Sequence, residues 1–420
     1  MSSFSQMQFS QSKMVQYKFN AKVFSPLQKV IIILLVAVIA LLPFGRLAEI
    51  PIIVLMIWGL VLLVRRFKTL KNLESFKPLT YAFLAYFSLV LISAIDSYWP
   101  EKSVLIALAS LRFYLMGLVV IYYANTVLLQ QVLKWVVVLM VAWAVDAMIQ
   151  NFVGHNLFGQ SSYQGRLTGV FGQNVKLGPM LALMLPMVMI QMCRYQAWLR
   201  WLVVALMVLV ILLSGTRSAW LMMGFVLLMF WWHHVKGRRW LLLLKTTTLT
   251  LFCVVILWFV SNDFQQRIER SMGLLQSDVK SIDFALADRL SIWKTALNMY
   301  ADHPINGVGA RAFRQVYTEY SEPDDVWVAQ KGSGLHAHHW VLELLAETGT
   351  VGLILMFWLV LIICRFVKNK AQNDLVWPYS LALVAAMLPV ISLYSLFSSF
   401  WSICLWWVLI MLIAGVEKDA

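Results

Sequence analysis

Charge is what this sequence has least of. Lys, Arg, Asp and Glu make up 13% of 420 residues against 61% apolar residues, with a mean hydropathy of +0.76. That balance excludes a soluble globular domain and implies a polytopic membrane protein. Cysteine is nearly as scarce. Its four copies, Cys193, Cys253, Cys364 and Cys404, fall in or beside apolar runs, so neither a disulfide framework nor a CxxC metal site is available. The sequence has no Walker loop, GxSxG or dinucleotide fingerprint, which leaves ATPase, serine-hydrolase and redox readings without local support. It has no DxD either; Asp324 and Asp325 sit side by side, a poor basis for a metal-held nucleotide-sugar donor. The formal net charge of +14 would suggest nucleic acid if the basic residues shared a soluble face, but they are spread between apolar runs and read as topology signals.

The apolar runs predict an all-α protein with about twelve membrane-spanning helices. They lie near 27–44, 47–64, 79–95, 104–123, 132–150, 175–193, 199–213, 217–233, 241–260, 340–364, 376–396 and 398–415. The first run carries no small-residue cleavage site and is expected to be an uncleaved anchor. Counting from a cytoplasmic start, 20 of the 34 basic residues fall in cytoplasmic segments, facing only Glu74, Asp374, Glu417 and Asp419. The positive-inside bias therefore places both termini in the cytoplasm and the one long loop, 261–335, outside. The expected division is a membrane region over 1–260, an external loop over 261–339 and a second membrane region over 340–420.

The loop has the periodicity of a folded, mostly helical unit. Phe264, Ile268, Met272 and Leu275 form one stripe; Leu286, Leu290, Trp293, Leu297 and Tyr300 a second; Phe313, Val316, Tyr317 and Tyr320 a third. Pro304, Gly307 and Gly309 separate the second helix from the third. Arg289 lies within roughly 60° of the second stripe and is expected to reach toward the membrane. From Glu319 to Gly334 the chain lacks apolar periodicity and reads as a mobile flap.

Chemistry and membrane meet where this loop ends, at GLHAHHWVLELLAETGTVG from Gly334. His339, Glu343 and Glu347 have i, i+4, i+8 spacing, which puts acid and base groups on one helix face at the expected water interface. The histidines of HAHH admit three readings: metal ligands with the nearby glutamates, which lack the HExxH pattern; structural residues at a helix start; or a general base, since imidazole titrates near neutral pH. Arg217, in SGTRSAW, is either a snorkelling anchor or a cation held for use. Arg112 and Asp146 lie within adjacent spans and are expected to pair.

Four stretches carry a resemblance: GRLTGVFGQNVKLG from Gly165, SGTRSAW from Ser214, RLSIWKTALNMYADHPINGVGARAF from Arg289 and HAHHWVLELLAETGTVG from His336. In this order, with about twelve spans and a late external loop, the chain resembles the O-antigen ligase and polymerase superfamily of bacterial envelope glycosyltransferases. It departs from the family's usual pattern in having His339 where Asn is frequent, and Gln173, Asn174, Val175 where Asn, Pro, Asn is common. For a ligase, the resemblance implies transfer of a polysaccharide from an undecaprenyl diphosphate carrier to a hydroxyl of the lipid A core, at the periplasmic face of the inner membrane. It implies His338, Arg289 and Arg217 as catalytic residues. Arg217 and Arg289, with His336, His339 and Glu347, form the expected substrate-binding set, without a metal or cofactor. The alternatives are a polymerase using a second lipid-linked glycan as acceptor, a protein O-glycosyltransferase, and a lipid-linked glycan transporter. Span interiors nearly free of charge speak against the transporter.

Overall fold

A computed structural model describes residues 24–234, 239–273, 278–368, 370, 373–388 and 394–416. Leu275 of the first predicted stripe, residues 389–393 of the span near 376–396, and the basic residues Lys13, Lys18, Lys22, Lys236, Arg238 and Lys418 lie outside the described residues. The described chain is all-helical and contains no β-strand.

Each predicted apolar run contains a helix, although the one near 376–396 is helical only over its first half. They are α1 (Pro26–Ala40), α2 (Glu49–Lys71), α3 (Phe76–Ile92), α4 (Pro100–Tyr123), α5 (Thr126–Val153) and α6 (Leu177–Met192). After them come α7 (Ala197–Leu213), α8 (Arg217–His234) and α9 (Arg239–Val260). Beyond the loop lie α15 (Trp340–Val367), α16 (Trp377–Ala386) and α17 (Ser399–Ala414). Among the described residues four segments, Leu42–Lys71, Pro100–Tyr123, Thr126–Val153 and Trp340–Val367, are long and apolar enough to cross a membrane, short of the twelve expected. A fifth follows if Leu244–Val260 and Asn262–Met272, bent by 110°, count as one span. Six further apolar helices are only 10–17 residues long. Short length has local causes: α1 stops where Pro43 and Gly45, at φ +68°, turn the chain through a 3-10 segment.

The helices pack as one core around α6, all of whose residues are buried and which touches α5, α7, α8 and α16. Trp231, Trp401, Trp407 and Tyr379 fill this core. Such packing also corrects one expectation. Arg112 on α4 faces α2, its Nε 3.0 Å from a Glu49 carboxylate oxygen, whereas Asp146 on α5 accepts the Leu157 N–H at 2.9 Å. The two do not pair, because each faces a different element: Arg112 meets Glu49 at the start of α2, and Asp146 meets the backbone at Leu157.

The loop has its own smaller core. It holds α10 (Asn262–Met272), α11 (Val279–Leu286), α12 (Arg289–Asp302), α13 (Phe313–Tyr320) and α14 (Val326–Lys331). Ser261, Asp278 and Asp325 cap α10, α11 and α14 by accepting backbone N–H groups. Phe313, Val316 and Tyr317 are buried as expected. The second stripe is different. Leu286 ends α11, consecutive left-handed residues Ala287 and Asp288 break the chain, and the buried face of α12 is Ile292, Thr295, Ala296 and Met299, with Leu297 exposed. The stretch after Glu319 is not a featureless flap either: Asp325 is buried, accepts the Tyr317 hydroxyl at 2.9 Å and starts α14.

A backbone strap joins loop to membrane helices. At Gly349, with φ +62°, α15 is kinked, and the groups freed by the kink are taken up by Pro304–Gly309. Val308 and Gly309 donate to the carbonyls of Ala346 and Glu347 at 2.8 and 3.0 Å, while Thr350 and Val351 donate to Pro304 and Ile305 at 2.8 and 3.1 Å. A side chain at Gly349 would strike the Ile305 carbonyl. The strap continues to the membrane: Tyr98 donates to Val308 at 3.1 Å, Ala310 donates to Ser93 Oγ at 3.2 Å, and Ser103 Oγ donates to Ala310 at 3.0 Å.

Candidate active site

Two groups of residues meet over one end of the helix core, one cationic and one built from imidazoles. The cationic group begins at the α7–α8 turn, where Gly215 at φ +64° lets the chain reverse and start α8 at Arg217. The Arg217 guanidinium donates to the Ala285 carbonyl and, at 3.4 Å, to Ser271 Oγ, which ties the turn to α10 and α11. Arg270 of α10 donates to the Phe284 carbonyl at 2.6 Å and lies 3.5 Å from the Asp288 carboxylate. Arg289 follows at the first position of α12, whose N-terminus is capped from a distance by Asp283 accepting the Leu290 N–H at 3.0 Å. Burial pushes the Arg289 guanidinium down to about 10, with repulsion from Arg217, Arg166 and Arg270 adding to it. Among the described residues no carboxylate stands within ion-pair distance of Arg166, Arg217 or Arg289. Guanidinium groups gathered without counter-charge form a site for an anion.

Opposite them, Ala337 is fully buried in the loop core and fixes the two histidines that flank it. His338 has a left-handed backbone at φ +51°, uncommon for a residue with a side chain, and is held there by its own N–H donating to His336 Nδ1 at 3.2 Å. The two rings are 3.9 Å apart between centroids. Trp327 spans the two groups: its ring lies 6.1 Å from that of His338, and its indole N–H donates to the Asp288 carbonyl, next to Arg289, at 2.5 Å. His338 Nδ1 is buried and has no partner. Burial, reinforced by Arg311, Arg289 and Arg314, lowers His336 to about 4. Burial also holds His338 well below its ordinary 6.5, helped by His336, Arg289 and Lys331. Both imidazoles are therefore neutral at pH 7; the His336 Nδ1 lone pair is taken by the His338 N–H, whereas His338 Nδ1 is left without a partner. His339 instead caps α15, accepting the Leu342 N–H at 3.4 Å, with its ring edge-on to Trp293.

The glutamates do not stand at a water interface. Glu343 and Glu347 are each 2% exposed. Glu347 accepts the Arg311 N–H at 2.8 Å and Glu343 the Leu396 N–H at 3.0 Å. Their helix face turns into the protein, because the strap and the α16–α17 connection cover it. Among the described residues no group of three or more His, Cys, Asp or Glu side chains is placed to hold a metal ion.

The structure thus gathers His338, His336, Arg289 and Arg217, puts His339 at the helix cap beside them, and sets Glu347 in the wall behind. Sequence reasoning passed over Arg166, Arg267 and Arg270. A signal existed for the first: an arginine after a glycine in a polar outer segment between two apolar runs. For Arg267 and Arg270, spaced i, i+3 on α10, the balanced charge of the loop hid the grouping.

No curated protein matches the chain. Residues 177–357, from the start of the buried α6 through the loop to the middle of α15, match the family model described as O-antigen ligase. That stretch, which holds Arg217, Arg289 and the histidines, is similar to the O-antigen ligase family.

Proposed function

We propose that the protein is an O-antigen ligase that moves a polysaccharide from undecaprenyl diphosphate to a hydroxyl of the lipid A core, without a metal. In this reading the chain crosses the inner membrane about twelve times as two membrane regions, 1–260 and 340–420. Both termini are cytoplasmic, and residues 261–339 form a periplasmic loop. The observation that carries the proposal is the meeting of unpaired Arg217 and Arg289 with a neutral His338 at one end of a membrane-helix core.

The chemistry follows from charge. As the bond between the anomeric carbon and the diphosphate oxygen breaks, its electron pair stays on the diphosphate. Planar guanidinium forks hold the growing charge by bidentate hydrogen bonds, which is work a divalent cation does elsewhere. The acceptor hydroxyl attacks from the opposite face and its proton passes to His338, so the anomeric centre inverts. Burial, reinforced by the surrounding cations, makes His338 a weak base. A diphosphate seated on Arg289 cancels part of that repulsion and strengthens the base when the donor arrives.

The test is transfer by the purified full chain given a lipid-linked glycan, with lipid A core, a second lipid-linked glycan, or a serine-bearing peptide as acceptor. Transfer to the core alone, surviving EDTA, is the expected result. Chain extension of the lipid-linked glycan would make the protein a polymerase, and modified peptide a protein O-glycosyltransferase. Loss on chelation with recovery on one metal would defeat the metal-free route.

A further inference from the structure

The proposed function uses two arginines, but the cationic group holds a third with no assigned work. Arg166 comes from the connection between α5 and α6, where its backbone pairs with Tyr163 in both directions, at 3.0 and 3.1 Å. Its Nε is buried and has no hydrogen-bond partner. Arg267 clamps this turn, donating to the carbonyls of Gln164 at 2.9 Å and Gly165 at 3.4 Å, and packs against Gly215, two residues before Arg217. Arg166 and Arg267 both line a cavity of about 170 Å³ that also includes Gly215. One side chain therefore holds the Arg166 turn and the Arg217 turn together.

We propose that Arg166 is the third guanidinium of the diphosphate site, placed there by Arg267 as a positioning residue, and that it answers the charge that appears when the sugar leaves. This rests on the ligase reading above. A lipid diphosphate esterified to a sugar carries roughly two negative charges, and roughly three once the sugar–oxygen bond has broken. Arg217 and Arg289 balance the first state; a third cation matches the second. An interaction that strengthens as the bond breaks accelerates the chemical step. Arg166 already feels the group electrostatically: burial lowers its pKa, and Arg270 lowers it further.

The test compares binding of undecaprenyl diphosphate and undecaprenyl phosphate to the purified full chain, for wild type, Arg166→Gln, Arg166→Lys, Arg217→Gln and the distant control Arg46→Gln. Removing one charge-assisted contact is expected to weaken the diphosphate roughly tenfold in Arg166→Gln and to change the monophosphate less than about threefold. Wild-type diphosphate affinity in Arg166→Gln, with Arg217→Gln impaired, would overturn the third-arginine proposal and leave the ligase reading standing. Equal binding by wild type and Arg217→Gln would instead overturn the diphosphate site itself. If Arg166→Gln loses its melting transition, Arg166→Lys carries the test. It keeps the charge and loses the fork, so weakened diphosphate binding supports the proposal and unchanged binding refutes it.

Discussion

The two sides of the site both keep charge away from bulk water, and they do so by opposite means. Arg166, Arg217 and Arg289 come together with no carboxylate in reach. Across from them, Glu343 and Glu347 lie deeper, and each accepts a backbone N–H, from Leu396 and Arg311 respectively. In the proposed reading, the difference separates groups held for a ligand from groups held for the fold. A cation whose counter-charge is missing is costly until an anion arrives. A carboxylate with a backbone donor already has its partner, and removing it should damage stability before it damages chemistry.

The sharpest break between the two sides should be His338→Ala, which removes the proposed base. Transfer is expected to fall about 10²–10⁴-fold with the melting temperature unchanged; near-normal ligation would transfer the role to His336 or His339. Next comes Arg289→Lys, expected to lose about 100-fold in transfer, again with normal melting. Full activity in the lysine variant would mean that only the charge matters there, and that the guanidinium fork does not. On the other side, Glu347→Ala strands the Arg311 N–H and should cost about 1–3 kcal/mol of stability, read as a lower melting temperature. A variant that melts normally yet no longer binds donor would move Glu347 to the ligand's side.

The smallest effect is one of pH. His336 is held at about 4 in the folded chain and returns to 6.5 when unfolded. Between those values the unfolded state binds more protons, so stability should rise with pH across that window and level off above it. Melting curves from pH 4 to 8 should show this slope in wild type and a shallower one in His336→Gln. Equal slopes would mean that the imidazole gains its proton without unfolding.

Long apolar runs made the apolar helices readable, but not their lengths, since only four or five of them are long enough to span a membrane. Partners were less readable. Arg112 chose Glu49 over Asp146 because α4 packs along α2, a contact no local pattern encodes. The loop's second stripe failed because Ala287 and Asp288 take left-handed conformations that their residue types do not announce, which shifts the start of α12 to Arg289. The glutamates' i, i+4 spacing fixed a shared face but not whether that face met water or protein. Arg217, Arg289 and His338 were legible from motif resemblance; Arg166 needed the fold, because the tie that brings it close is Arg267, about a hundred positions away in the chain.

The strap at the kinked helix also sets where the chain can change length. Between Pro304 and Ala310 successive backbone groups are spoken for by α15 on one side and by Ser93, Tyr98 and Ser103 on the other. One added or deleted residue there would put every one of these partners out of step at once. Glu322, Pro323 and Asp324, between α13 and α14, are exposed and can absorb extra residues while the Asp325 cap re-forms beyond them. Variation in length among chains of this fold should therefore gather at that surface turn and leave the strap untouched.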